Sequence, residues 1–87
     1  MNTTELPVGF GAGQVVILVY STSRAIRAEK VLFQAGIECK LIPVPRHLSS
    51  NCGVCVRIQS ADQQAALSAL ERARVEIEGV HALAEAW

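Results

Sequence analysis

The sequence predicts an α+β domain built on one antiparallel sheet. Three observations lead there. A β-branched apolar run occupies residues 15–20, two amphipathic stretches carry hydroxyl caps and turn-like stops, and three short apolar or alternating runs fill the space around them. The resulting order is strand, helix, strand, strand, helix, strand, the split βαβ or ferredoxin-like arrangement. A right-handed crossover makes the first and second strands parallel, with the third between them. The expected sheet is four-stranded, in the order 4-1-3-2, with both helices on one face.

Each element has a local cause. Residues 15–20, VVILVY, are apolar throughout, as in a central strand covered on both faces. Ser21, Thr22 and Ser23 offer hydroxyl N-caps. Ala25, Ala28, Val31, Leu32 and Ala35 then recur at helical spacing over about residues 22–35, and Gly36 suits a left-handed stop. Residues 37–44 alternate apolar and polar, which suggests a half-exposed edge strand ended by Pro43 and Pro45. Residues 46–52 form a loop. In the strand that follows, over 53–58, Val54, Val56 and Ile58 share one face, and Cys55 and Arg57 the other. Ser60 with Gln63 has the form of a capping box, and Ala66, Leu67, Leu70 and Ala73 make the buried stripe of a second helix ending near Arg74. The last strand is expected over 75–82, with His81 half-buried. Residues 1–13 and 84–87 read as tails around a single domain at 14–83.

Composition removes several functional classes. The chain has 87 residues, with eight basic and eight acidic side chains. That neutrality argues against a nucleic-acid or acidic-membrane partner, which requires a basic footprint. The mean hydropathy of +0.30 is high, yet no apolar run approaches the roughly 20 residues of a membrane span. The start of the chain lacks the basic and apolar regions of a secretory signal. The glycines at 9, 11 and 13 imitate a dinucleotide fingerprint but precede a strand instead of following one. Three cysteines are too few for a disulfide scaffold, so a cytoplasmic protein with reduced thiols is expected.

Chemistry concentrates in Cys52-Gly53-Val54-Cys55. A structural zinc site needs two further ligands, and Cys39, His47 and His81 are the remaining soft candidates. A thioredoxin-like CxxC opens a helix, whereas this one opens a strand. The topology brings the start of the first helix, at Ser21 and Thr22, to the loop holding Arg46, His47, Ser50 and Cys52. A helix N-terminus offers unpaired N–H groups and partial positive charge, and positive surroundings favour a thiolate. Arg24, Arg27, Arg46 and Arg57 are expected near this end of the sheet. Gly53 leaves room for an incoming group beside the backbone. On this basis Cys52 is the expected exposed, reactive thiol and Cys55 a possible assistant, with Cys39 a buried apolar filler. Three functions stay open on these residues: a carrier acting through Cys52, a soft-metal or thiol-redox module using Cys52 and Cys55, and an interaction or dimerisation module in which the thiols are incidental.

The loop from Pro43 to Gly53, PVPRHLSSNCG, resembles the signature of the small bacterial selenium/sulfur carrier protein-like family. Thr22, Ala25, Glu29-Lys30, Leu32 and Gly36-Ile37 are similar to that family's helix-and-turn pattern. The resemblance spans roughly residues 15–82. It implies a ferredoxin-like domain that holds sulfur or selenium as a persulfide or perselenide on Cys52. Donor and acceptor enzymes would be the partners, and no resident cofactor would be required beyond the carried atom. Arg46, Ser50, Gly53, Ser21 and Thr22 would surround that atom.

Overall fold

The computed structural model describes residues 13–48 and 52–83. In chain order the elements are β1 (Gln14–Leu18), α1 (Thr22–Gln34), β2 (Cys39–Pro43), β3 (Val54–Gln59), a 3-10 turn (Ser60–Asp62), α2 (Gln63–Arg72) and β4 (Gly79–Leu83). All strand pairings are antiparallel, and the sheet order is β2-β3-β1-β4. Read from the other edge, this is the predicted 4-1-3-2. The proposed tails fall outside the described residues, apart from Gly13.

The register divides the side chains between two faces. Val15 lies opposite Ile58 and Ile17 opposite Val56, while Cys39 and Leu41 on β2 meet Ile58 and Val56 from the other side. These residues face the helices. They form the main core with Val19, Ala25, Ala28, Leu32, Ala66, Ala69, Leu70 and Val75. The buried residues of α1 are Ala25, Ala28 and Leu32, and those of α2 are Ala66, Ala69 and Leu70. Burying one such leucine contributes about 1.5–3 kcal/mol. On the opposite face Val16, Leu18 and Cys55 are also buried, packed by Ile42, Val44, Leu48 and Leu83.

Both helices end in the same way. The Gly36 N–H reaches the Phe33 carbonyl at 3.0 Å and the Ile37 N–H reaches Leu32 at 2.9 Å. The Arg74 N–H reaches Glu71 at 3.0 Å and the Val75 N–H reaches Leu70 at 2.9 Å. This double closure requires a left-handed residue after the cap. Gly36 supplies it at φ 78, as expected. In α2 the same position is held by Arg74 at φ 60, a conformation that costs an L-residue about 1 kcal/mol or more.

Three sequence expectations need correction. Ser60 does not cap α2, which starts at Gln63 with no side-chain cap bond. The Ser60 N–H is donated to the Gly13 carbonyl at 3.3 Å, so it is not available to the glutamine of a capping box. The last strand begins at Gly79 instead of residue 75, because residues 75–78 return from the α2 stop toward the sheet; there the Glu78 N–H meets the Leu18 carbonyl at 2.6 Å. His81 is exposed, not half-buried, since it sits on β4 at the sheet edge.

Candidate functional site

The site is assembled by two crossings of the chain at one end of the sheet. β1 ends at Leu18, and α1 opens four residues later. The Ser21 side chain accepts the Arg24 N–H at 3.2 Å, which satisfies one otherwise orphaned donor of the first turn. Ser21 is therefore the N-cap, and its neighbour Thr22 begins the helix. From the other side, the loop after β2 is closed at its base by the Val44 N–H to the Gly53 carbonyl at 3.1 Å. A tight turn, with the Leu48 N–H on the Pro45 carbonyl at 3.0 Å, presents Arg46 and His47 to solvent. Leu48 turns inward and packs on the Leu18–Cys55 cluster.

Cys52 stands where the two crossings meet. Its Sγ lies 3.8 Å from Thr22 Oγ1, a contact in which either group can donate. The expected juxtaposition of Thr22 and Cys52 is thus present. The expected exposure is not: Cys52 retains 4% of its accessible surface and belongs to the helix-side core. The cause is the same convergence, because the helix start and the sheet enclose the thiol. Its position beside the first residue of a 13-residue helix sets it in the positive end of the helix dipole.

The other thiols have different surroundings. Cys55 is fully buried among the apolar residues of the opposite face, and its Sγ donates to the Pro43 carbonyl at 4.0 Å. Burial, and then the nearby Cys52, push its pKa up. Cys39 is half-buried instead of buried, because β2 is an edge strand. Its thiol donates to the Glu29 carbonyl at 3.8 Å, and burial, Glu29 and Glu38 all raise its pKa. Both are held in the protonated, poorly nucleophilic form at neutral pH. No cysteine is in a disulfide; Cys52 and Cys55 belong to clusters on opposite sides of the sheet.

Two of the four arginines expected near this end of the sheet have partners in the second half of the chain. Arg24 pairs with Glu76 at 3.3 Å and lies over the Tyr20 ring at 5.9 Å. Arg27 donates to the Ala73 carbonyl at 3.0 Å, where a cation complements the C-terminus of α2. Arg57 faces away from the helices, opposite Val16 and Lys40. Arg46 is exposed in its turn, and Ser50 lies outside the described residues. Gly53 is exposed, with nothing within 4 Å of where a Cβ would stand, so the fold does not itself demand a glycine there. Among the described residues, no group of three or more His, Cys, Asp or Glu side chains converges as metal ligands. Nor is any helix long and apolar enough to cross a membrane.

Leu48 is the site residue that composition did not single out. Its signal was available: it is the only apolar side chain between Arg46 and Asn51, and a lone apolar residue in a polar loop is a natural anchor.

Fold and site together define a ferredoxin-like domain with one thiol seated at a helix start. The chain belongs to the family described as putative Se/S carrier protein-like, whose model matches residues 14–82. No curated protein and no solved structure matches the chain.

Proposed function

We propose that this protein carries sulfur or selenium on Cys52 and passes it to a partner enzyme. The supporting observation is the place of the Cys52 thiol, 3.8 Å from Thr22 Oγ1 at the start of α1, in a chain of the Se/S carrier family. A helix N-terminus and a hydroxyl donor both stabilise negative charge on a group placed beside them. The same groups favour the anion of a persulfide or perselenide.

The reaction is an exchange without net oxidation. The Cys52 thiolate attacks the outer atom of a donor persulfide or perselenide. A bond forms from Sγ to that atom, the bond from that atom to the donor's own sulfur breaks, and the donor leaves as a thiolate. A nucleophile on the acceptor later attacks the same outer atom, and Cys52 leaves as thiolate. Sulfur or selenium is therefore cargo, and no resident cofactor is required. The depth of Cys52 leaves the carried atom open to small reagents but not to bulky stray thiols, so transfer to another protein requires a docked partner. The open space beside Gly53 is the route by which the partner's backbone or reacting group comes close. Three cysteines, too few for a disulfide scaffold, suit a reducing compartment such as the cytoplasm for this chemistry.

Competitive alkylation at neutral pH tests the assignment. With limiting iodoacetamide and peptide mapping, Cys52 is expected to react before Cys39 and Cys55. Faster labelling of either of the others would remove Cys52 from the role.

A further inference from the structure

At the β2 edge of the sheet an unexplained apolar surface stands beside a strand that, among the described residues, pairs only with β3. Ile26 and Phe33, on the outer side of α1, are 54% and 80% exposed. They are two helical turns apart and so share one side of the helix. One shallow hollow is lined by Ile26, Glu29, Lys30, Phe33 and Cys39, and the next by Phe33, Gly36, Ile37, Glu38 and Cys39. The helix flank and the edge strand therefore form one continuous surface, centred on Cys39.

We propose that this surface is the interface of a homodimer, in which β2 pairs antiparallel with β2 of a second copy across a twofold axis at Cys39. The pairing joins two sheets into one and satisfies main-chain groups that an edge strand leaves open.

Charge selects the second copy and the register. In such a pairing, residues directly opposite each other share a face. An axis at Cys39 sets Glu38 opposite Lys40 of the other copy, twice, and Ile37 opposite Leu41. Moving the axis by one residue sets either Glu38 or Lys40 opposite itself, and like charges across a strand pair are unfavourable. Pro43, which lacks an N–H, lies beyond the paired stretch.

The helices lead independently to the same axis. The Cys39 thiol contacts the Glu29 carbonyl, so a twofold through Cys39 passes α1 near residues 29 and 30. That is the midpoint between Ile26 and Phe33. The symmetry thus brings Ile26 of one copy beside Phe33 of the other, and Glu29 beside Lys30. α1 packs over β2 and β3. With strands about 4.8 Å apart, two such helices would lie about 10 Å from each other, a normal helix-packing distance. This surface is separate from the Cys52 site, and the inference does not rest on the carrier role.

Sedimentation velocity on the full chain in reductant, from about 1 μM to several hundred μM, tests it. The wild type is expected to pass from monomer to dimer within that range. Phe33→Glu is expected to stay monomeric with an unchanged circular dichroism spectrum, since Phe33 contributes little to the monomer core. Lys40→Glu, which sets Glu opposite Glu38 twice, is expected to weaken the dimer about tenfold. The double variant Glu38→Lys/Lys40→Glu is expected to return to wild-type affinity. A wild type that stays monomeric throughout, a dimer indifferent to Phe33→Glu, or a double variant no better than Lys40→Glu would each overturn the proposal.

Discussion

Replacing Thr22 by Val removes one hydroxyl from the Cys52 site and nearly preserves side-chain shape. The Ser21 cap and its 3.2 Å bond to the Arg24 N–H are untouched, so α1 keeps its start. What is lost is the contact between Thr22 Oγ1 and Cys52 Sγ, at 3.8 Å. A hydrogen bond to a charged group contributes about 1.5–3 kcal/mol, and this one is long even for sulfur, so about 1 kcal/mol is a fair magnitude. The loss falls on the Cys52 sulfur as it attacks, when it carries negative charge. Alkylation of Cys52 at neutral pH should then slow about fivefold. The assay is the pseudo-first-order rate with iodoacetamide, followed by mass spectrometry at the Cys52 peptide. Thr22→Ser keeps the hydroxyl and should stay within about twofold of wild type. Equal rates for wild type, Thr22→Val and Thr22→Ser, with unchanged melting, would refute the idea that the helix start activates the thiol.

Further expectations concern the fold that holds the site. Arg74→Gly relieves a left-handed residue and should stabilise the protein by about 1 kcal/mol, raising the thermal midpoint by roughly 4–8 °C; a lower midpoint would contradict the strain assigned there. Leu32→Ala, at a fully buried position, should cost about 2–5 kcal/mol by urea denaturation. Gly53→Ala should melt within about 1 kcal/mol of wild type, because the added methyl group meets nothing, yet it should slow transfer to a partner. The Cys39 and Cys55 pKa values are raised in the folded state, so the unfolded chain loses those protons first as pH increases. Their stabilisation is complete below the ordinary thiol pKa, near 9.0, and declines above it. A Cys39→Ser/Cys55→Ser variant should show a shallower alkaline loss of thermal stability than wild type.

The fold was legible because its signals are local and repeated. The unbroken apolar run at 15–19 could only be a covered central strand, and the half-polar 37–42 stretch reads as an edge for the opposite reason. Gly36 announced the end of α1 through its backbone freedom. Arg74 announced nothing, because its left-handed conformation is imposed by the return of residues 75–78 to the sheet and leaves no trace in residue type. Ser60 misled in a similar way: its hydroxyl suits a cap, but its N–H had already been taken by Gly13, a partner 47 positions away in the chain. At the site, topology was enough to bring Thr22 and Cys52 together. It was not enough to give the depth of the thiol, which depends on how closely the helix start, the sheet and the loop enclose it. The partners of Arg24 and Arg27, Glu76 and the Ala73 carbonyl, were not legible either, because both come from the distant second half of the chain.

The central claim is that Cys52, and no other thiol, takes up the carried atom. Its most direct test is the intact mass of the protein after incubation with a cysteine desulfurase or a selenocysteine lyase and the matching substrate. The account predicts a gain of about 32 Da for sulfur or about 80 Da for selenium, mapped to Cys52, reversed by reductant and absent in Cys52→Ser. A gain that persists in Cys52→Ser, or that maps to Cys39 or Cys55, would contradict it.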